Sequence, residues 1–331
     1  MHPYQLSHYL STLIDHSIHH SVMIWGPPGI GKSSVVAQLA NSRKMGFIDL
    51  RLSQLAPTDL RGVPVPVDGI THWYPPEFLP HTGTGILFLD EINLAPPALQ
   101  GVAQQLVLDR RVGSYEVPNG WFVWAAGNRK EDRAAIFDMP TPLANRFLHL
   151  RVEPHLESFR QYAIARKMHE QIIGFLNFRP SLLHKPDANS EAWPSPRSWE
   201  MADALLKLDL DLAPAIGIGV AAEFNVFRQS AAQIPLVEAI LNGKSKETFP
   251  AEPSIQYALS SALVIRINTV AQAINAFRWL SDKAPPEWVQ MVAADLFPKL
   301  RNNKLYEAFR REVQADEELM RFLGAFSVLA S

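Results

Sequence analysis

Apolar residues fall along this chain in two regimes. Up to about residue 152 they gather into short, near-continuous runs at residues 22–25, 47–50, 86–89, 121–126 and 147–152. An apolar run of four to eight residues bounded by turn signals is the pattern of a strand buried on both faces. Five such runs alternating with helical or loop segments predict an α/β fold with a five-stranded parallel sheet covered by helices. Leu6, Leu10, Leu13 and Ile14, at helical spacing, predict one helix before the first strand. Beyond Glu153-Pro154 the helical period takes over. Residues 156–178 read as one long helix, 180–196 as a polar, proline-bearing loop and 215–228 as a further helix. A linker at 242–250 precedes a helical C-terminal third. The chain contains no internal repeat or low-complexity tract.

The loop after the first strand carries the sharpest chemical signal. Gly26-Pro27-Pro28-Gly29-Ile30-Gly31-Lys32-Ser33 fits G-x-x-x-x-G-K-[ST], between an apolar strand and a helix that begins with Ser34. Glycines let consecutive backbone N–H groups face one concavity that holds phosphate oxygens, and the helix adds the positive end of its dipole. Lys32 is placed to reach the β- and γ-phosphates and Ser33 to offer its hydroxyl to Mg²⁺. This predicts nucleotide binding without specifying the nucleotide.

A second element agrees with the first. The apolar run at 86–89 ends in Asp90-Glu91. A buried strand ending in two acids places carboxylates at the carboxyl edge of the sheet, where open α/β folds bind ligands. Asp90 is expected to hold Mg²⁺ through its water shell, and Glu91 to polarise an attacking water.

Composition narrows the class. The 331 residues have a hydrophobic fraction of 47%, a formal charge of −2 and no cysteine. The charge gives no global attraction to nucleic acid or to an acidic membrane. Disulfides and thiolate chemistry are excluded. The most apolar later stretch, residues 258–265, is too short to span a bilayer. The N-terminal residues lack a signal pattern, so the expected location is cytoplasmic.

In order and spacing, these features resemble an AAA+ ATPase, specifically the MoxR-like branch. The resemblance rests on residues 26–33, then Asp90-Glu91-Ile92-Asn93, Ala125-Ala126-Gly127-Asn128, Leu143-Ala144-Asn145-Arg146-Phe147 and Pro194-Ser195-Pro196-Arg197-Ser198-Trp199. It covers roughly residues 1–230. It implies ATP with Mg²⁺, held by residues 26–34 from Gly26 to Ser34. It also implies a sensor-1 role for Asn128, an arginine finger at Arg146 and a sensor-2 role for Arg197. Where many MoxR-like proteins have Asp-Arg-Phe, this chain has Asn145-Arg146-Phe147. The finger is retained without an adjoining carboxylate, and Arg129, Arg133 and Arg151 are alternatives.

The resemblance implies an α/β core at 1–152 with a helix-2-type insert at 53–84, a helical lid at 153–231 and a helical extension at 232–331. Nucleotide is expected between core and lid, in a homo-oligomeric ring, typically a hexamer. The implied activity is chaperone-like remodelling of a protein client with a von Willebrand factor A domain partner. Two rivals are a nucleic-acid motor or loader on the same core, and a nucleotide-gated binding module with little turnover. Between residues 52 and 84 Arg61 is the sole lysine or arginine, which disfavours the motor. Glu91 and Asn128 disfavour the pure switch.

Within the insert, Asp68-Gly69 between β-prone runs predicts a hairpin. Trp73 and Tyr74 either contact a substrate or partner, or pack inward. His16, His19 and His20 have helical spacing but read as a solvated helix end. His169-Glu170 lacks the second histidine of a zinc protease, and Trp121 and Trp124 read as core or interface packing.

Overall fold

The computed structural model describes residues 1–132, 137–231, 237–316 and 319–320. The chain divides into two compact units, Met1–His155 and Leu156–Ser331.

The first unit opens with helix α1 (Pro3–Asp15) and strand β1 (Ser21–Trp25). Helix α2 (Lys32–Ser42) leads to β2 (Gly46–Arg51). A short helix α3 (Pro57–Arg61) and a hairpin of β3 (Val63–Val67) and β4 (Ile70–Tyr74) follow. Next come β5 (Gly85–Asp90), α4 (Pro97–Leu108), a second hairpin of β6 (Arg111–Val112) and β7 (Tyr115–Glu116), and β8 (Trp121–Gly127). Helix α5 (Thr141–Ala144) and β9 (Phe147–Arg151) complete the unit.

Five strands form one sheet in the order β2-β5-β8-β1-β9, and every neighbouring pair is parallel. These are the five runs expected from the sequence: the inner strands β1, β5 and β8 read as continuous apolar segments because both their faces are covered, and the edge strands β2 and β9 are partly exposed. Along β5, Ile86 and Phe88 join α1 and α2 residues such as Leu6, Leu10 and Val36 on one face. Leu87 and Leu89 join Leu99, Val102 and Leu106 of α4 on the other. Trp121 and Trp124 are both core residues. His19 stacks on Phe122 with ring centroids 4.3 Å apart.

The hairpin expected at Asp68-Gly69 is present, with Val63 paired to Tyr74 and Val67 to Ile70. Both turn residues have positive φ, 53° and 79°, the signature of a type I′ turn. All ten strand residues are exposed, so Trp73 and Tyr74 stand away from the core rather than packing inward. The Ser114 hydroxyl donates to the Trp73 carbonyl at 2.7 Å, tying the first hairpin to the second.

The second unit is helical: α6 (Leu156–Ala165), α7 (Glu170–Phe178), α8 (Pro196–Lys207), α9 (Ala213–Ile216), α10 (Ile218–Ala231), α11 (Val237–Leu241), α12 (Pro253–Arg266), α13 (Val270–Lys283), α14 (Pro286–Asn302) and α15 (Tyr306–Gln314). One hydrophobic core runs from Phe159 through Trp199, Phe224 and Leu263 to Leu319, joining residues from both sides of position 231.

The single helix expected at 156–178 is two. Lys167 takes φ 54°, and the Met168 N–H bonds back to Ala163, closing α6 before His169 caps α7. The helix expected at 215–228 is likewise broken, at Gly217 with φ 85°. No helix among the described residues is long and apolar enough to cross a membrane.

Candidate active site

β1 ends at Trp25, and the chain passes directly through Gly26 to Gly31 into α2. The strand order makes this a point of divergence, because β2 and β9 lie on opposite sides of β1. A crevice at the carboxyl ends of strands forms at such a reversal. Gly29 and Gly31 have φ of 78° and 89°, conformations that glycine adopts without steric cost. Ile30 between them is buried and anchors the loop. Gly31 at the N-cap of α2 offers no side chain to cap the helix, and a helix N-terminus presents its first-turn N–H groups to an anion.

Lys32 Nζ donates to the carbonyls of Gly26 at 2.7 Å and Pro27 at 3.0 Å, and to Asn128 Oδ1 at 3.0 Å. The Ser33 hydroxyl donates to Asp90 Oδ2 at 2.5 Å. Asp90 ends β5, and its Oδ1 accepts the Glu91 N–H at 2.8 Å. Asn128 directly follows β8. The carboxyl ends of three adjacent strands, β1, β5 and β8, thus bring Lys32, Ser33, Asp90 and Asn128 into one bonded group, with Glu91 beside it.

Glu91 is a non-glycine residue at φ 56°. Such a conformation costs of order 1 kcal/mol and persists where surrounding structure enforces it. Here the Asp90 carboxylate holds the Glu91 amide, and the Ser53 hydroxyl donates to Glu91 Oε2. Ser53 lies in a single helical turn just after β2. Glu91 Oε1 has no hydrogen bond among the described residues, which leaves it able to accept from a water.

The acids at this edge act on one another. The Asp49 carboxyl on β2 is raised from its ordinary value, first by desolvation at the sheet and then by the negative charge of Asp90, with Arg51 opposing and Glu91 adding to the rise. Adjacent hard oxygens from Ser33 and Asp90, in a field that a cation relieves, fit Mg²⁺. Among the described residues no cluster of three histidines or acids suggests a transition-metal site.

The arginines divide clearly. Arg146 is exposed just beyond α5, and its guanidinium makes no hydrogen bond or ion pair among the described residues. Arg129 is bound by Asp132 at 2.9 Å and Glu153 at 2.6 Å, within its own unit. Arg151 is exposed at the end of β9, and Arg133 lies outside the described residues. Arg197 belongs to the helical unit, exposed at the second residue of α8, where Ser195 caps the helix by accepting the Ser198 N–H at 3.1 Å.

Two participating residues carried little sequence signal. Asn93 clasps the backbone of Asn128, and Ser53 holds Glu91. Each contact joins segments at least 35 positions apart. Asn93 at least stood beside the Asp-Glu pair.

A parallel sheet with a phosphate-type loop at its reversal and an Asp-Glu pair on the next strand but one, beyond β8, defines a P-loop nucleotide-binding fold. Residues 21–130, about a third of the chain, match the AAA domain of the dynein-related subfamily. No curated protein matches the chain. Among solved structures it is similar to NtrX from Brucella abortus in complex with ADP, at 15% identity over 94% of this chain and 67% of that one, with a TM-score of 0.43. It is also similar to a RuvB mutant from Thermotoga maritima, at 14% identity over 86% and 85%, with a TM-score of 0.40.

Proposed function

We propose that this chain is a MoxR-like AAA+ ATPase that binds ATP with Mg²⁺ and hydrolyses it at a site shared between subunits of a ring, drawn as a hexamer. The convergence of Lys32, Ser33, Asp90 and Asn128, with Glu91 alongside, carries the reading. Residues 26–34 enclose the phosphates, with backbone N–H groups from Gly29 onward, and Lys32 shifts its donors from loop carbonyls to the β- and γ-phosphates. Ser33 and Asp90 hold Mg²⁺, which when bound neutralises charge on the phosphate oxygens. Glu91 accepts the proton of the attacking water while Asn128 orients that water in line with the γ-phosphate.

Arg146 is assigned to the neighbouring subunit's site, because it is exposed and its guanidinium makes no hydrogen bond or ion pair among the described residues. Arg197 is assigned to sensing nucleotide from the lid, residues 153–231, with residues 232–331 as the extension. The exposed β3–β4 hairpin supports a remodelling role, since turnover that moves the core carries Trp73 and Tyr74 against a protein client. A von Willebrand factor A domain protein and a cytoplasmic location complete the proposal.

The test is Glu91→Gln. Turnover is expected to fall by roughly 10²–10⁴-fold while ATP still binds. Hydrolysis at the parental rate would refute the assignment of the base.

A further inference from the structure

Sheet pairing around β8 stops short of Asn128: its last partners are Trp25 opposite Gly127 and Leu89 opposite Ala125. The backbone of Asn128 therefore has no neighbouring strand to fix it. A side chain takes that place. Asn93 Nδ2 donates to the Asn128 carbonyl at 2.7 Å, and Asn93 Oδ1 accepts the Asn128 N–H at 3.2 Å. One carboxamide thus satisfies both polar groups of one peptide residue, as a facing strand would. Asn93 is 2% exposed, so water does not compete. Its own carbonyl accepts the Phe137 N–H at 2.8 Å, and the Ile92 N–H donates to Ala126 at 3.1 Å, so the backbone on either side is also held.

The preceding residue is shaped to admit this clamp. A Cβ on Gly127 would lie 2.4 Å from Asn93 Oδ1 and 2.7 Å from Met23 Cε. Gly127 is thus explained by the close approach of Asn93, since its φ is not positive.

We propose that Asn93 is a positioning residue: it fixes the backbone of Asn128 so that Asn128 Oδ1 meets Lys32 Nζ at 3.0 Å. The clamp transmits the geometry of the Asp90-Glu91 segment to the residue that orients water and to the lysine that reaches phosphate. This role rests on the ATPase reading above, whereas the clamp itself does not. A small misplacement of an orienting group costs the chemical step far more than binding.

The experiment uses the full chain with Asn93→Leu and Gly127→Ala, the latter keeping Asn93 but displacing its amide. Amide hydrogen exchange at Asn128 is measured without nucleotide, and ATP turnover and KM with it. Exchange at Asn128 should rise in both variants. Turnover should drop by roughly tenfold to a hundredfold with KM changed by no more than about threefold. In an Asn128→Ala background, Asn93→Leu should add nearly nothing, because its effect passes through that residue. Should Asn93→Leu not fold, Asn93→Ala, which removes both the acceptor of the Asn128 N–H and the donor to its carbonyl, serves in its place. Unchanged exchange overturns the clamp. Raised exchange with unchanged turnover, or an undiminished loss in the Asn128→Ala background, overturns the positioning role. A parent chain without ATP turnover overturns the functional reading and this role with it, while the exchange result still decides whether the clamp exists.

Discussion

The two units use polar side chains in opposite ways. In the α/β unit they gather at one edge of the sheet and bond one another there: Lys32 on carbonyls, Ser33 on Asp90, Ser53 on Glu91. Those bonds are the kind a phosphate or a cation replaces. In the helical unit the polar groups are buried as links between helices. Arg160 of α6 lies 2.7 Å from Asp295 of α14, both well buried. Lys299 of α14 donates to the carbonyls of Val264, Ile265 and Ile267 at the end of α12, at 2.9, 2.7 and 2.6 Å. Substitution in the first set should therefore cost chemistry at little cost in stability, and substitution in the second the reverse.

The largest stability effect is expected at Asp295. Asp295→Ala leaves the Arg160 guanidinium without its carboxylate and with Asn177 Oδ1 at 3.3 Å, and should destabilise the helical unit by about 3–5 kcal/mol in denaturant unfolding. An unfolding midpoint equal to that of the parent would erase the contrast between the units.

A smaller effect follows from the charge state of the same group. Burial raises the Asp295 carboxyl to about 6, and the Arg160 guanidinium opposes this only in part. Between the ordinary carboxylate range and about 6, the folded chain holds a proton that the unfolded chain has released. Stability from this group is therefore complete at acid pH and is lost as pH rises through about 6. Relative to Asp295→Asn, the parent should lose up to about 3 kcal/mol between about pH 4 and pH 7. A flat difference across that range would contradict it.

The smallest effect is expected at Ser53. Ser53→Ala removes one hydroxyl from Glu91 Oε2 and should alter turnover by roughly fivefold to tenfold, an energy of the order of one ordinary hydrogen bond, with the melting temperature nearly unchanged. A change in melting temperature without one in turnover would move Ser53 to the structural class.

What could be read ahead of the structure follows the range of each signal. Strand runs, the glycine loop and the Asp68-Gly69 turn are written in consecutive residues, and each is present. The division of residues 156–178 was illegible because Lys167, with no glycine to mark it, adopts a left-handed turn. At Gly217 the mark existed, but a lone glycine within a helical pattern reads as tolerated. The β6–β7 hairpin is a single two-residue pairing around Gly113, too short for periodicity. Ser53 and Asn93 gained meaning only when the parallel sheet brought β2, β5 and β8 side by side.

The proposed ATPase has its active site divided between subunits. Mixing Lys32→Ala, which keeps its Arg146, with Arg146→Ala, which keeps its phosphate loop, tests this most directly. Each variant alone should be nearly inactive, since a cation at the γ-phosphate is worth roughly 10³–10⁵ in rate. An equimolar mixture assembled at random should recover about a quarter of the parental turnover, because a quarter of its interfaces pair an intact loop with an intact finger. Parental turnover by Arg146→Ala alone, or a mixture no more active than its two parts, would contradict the shared site.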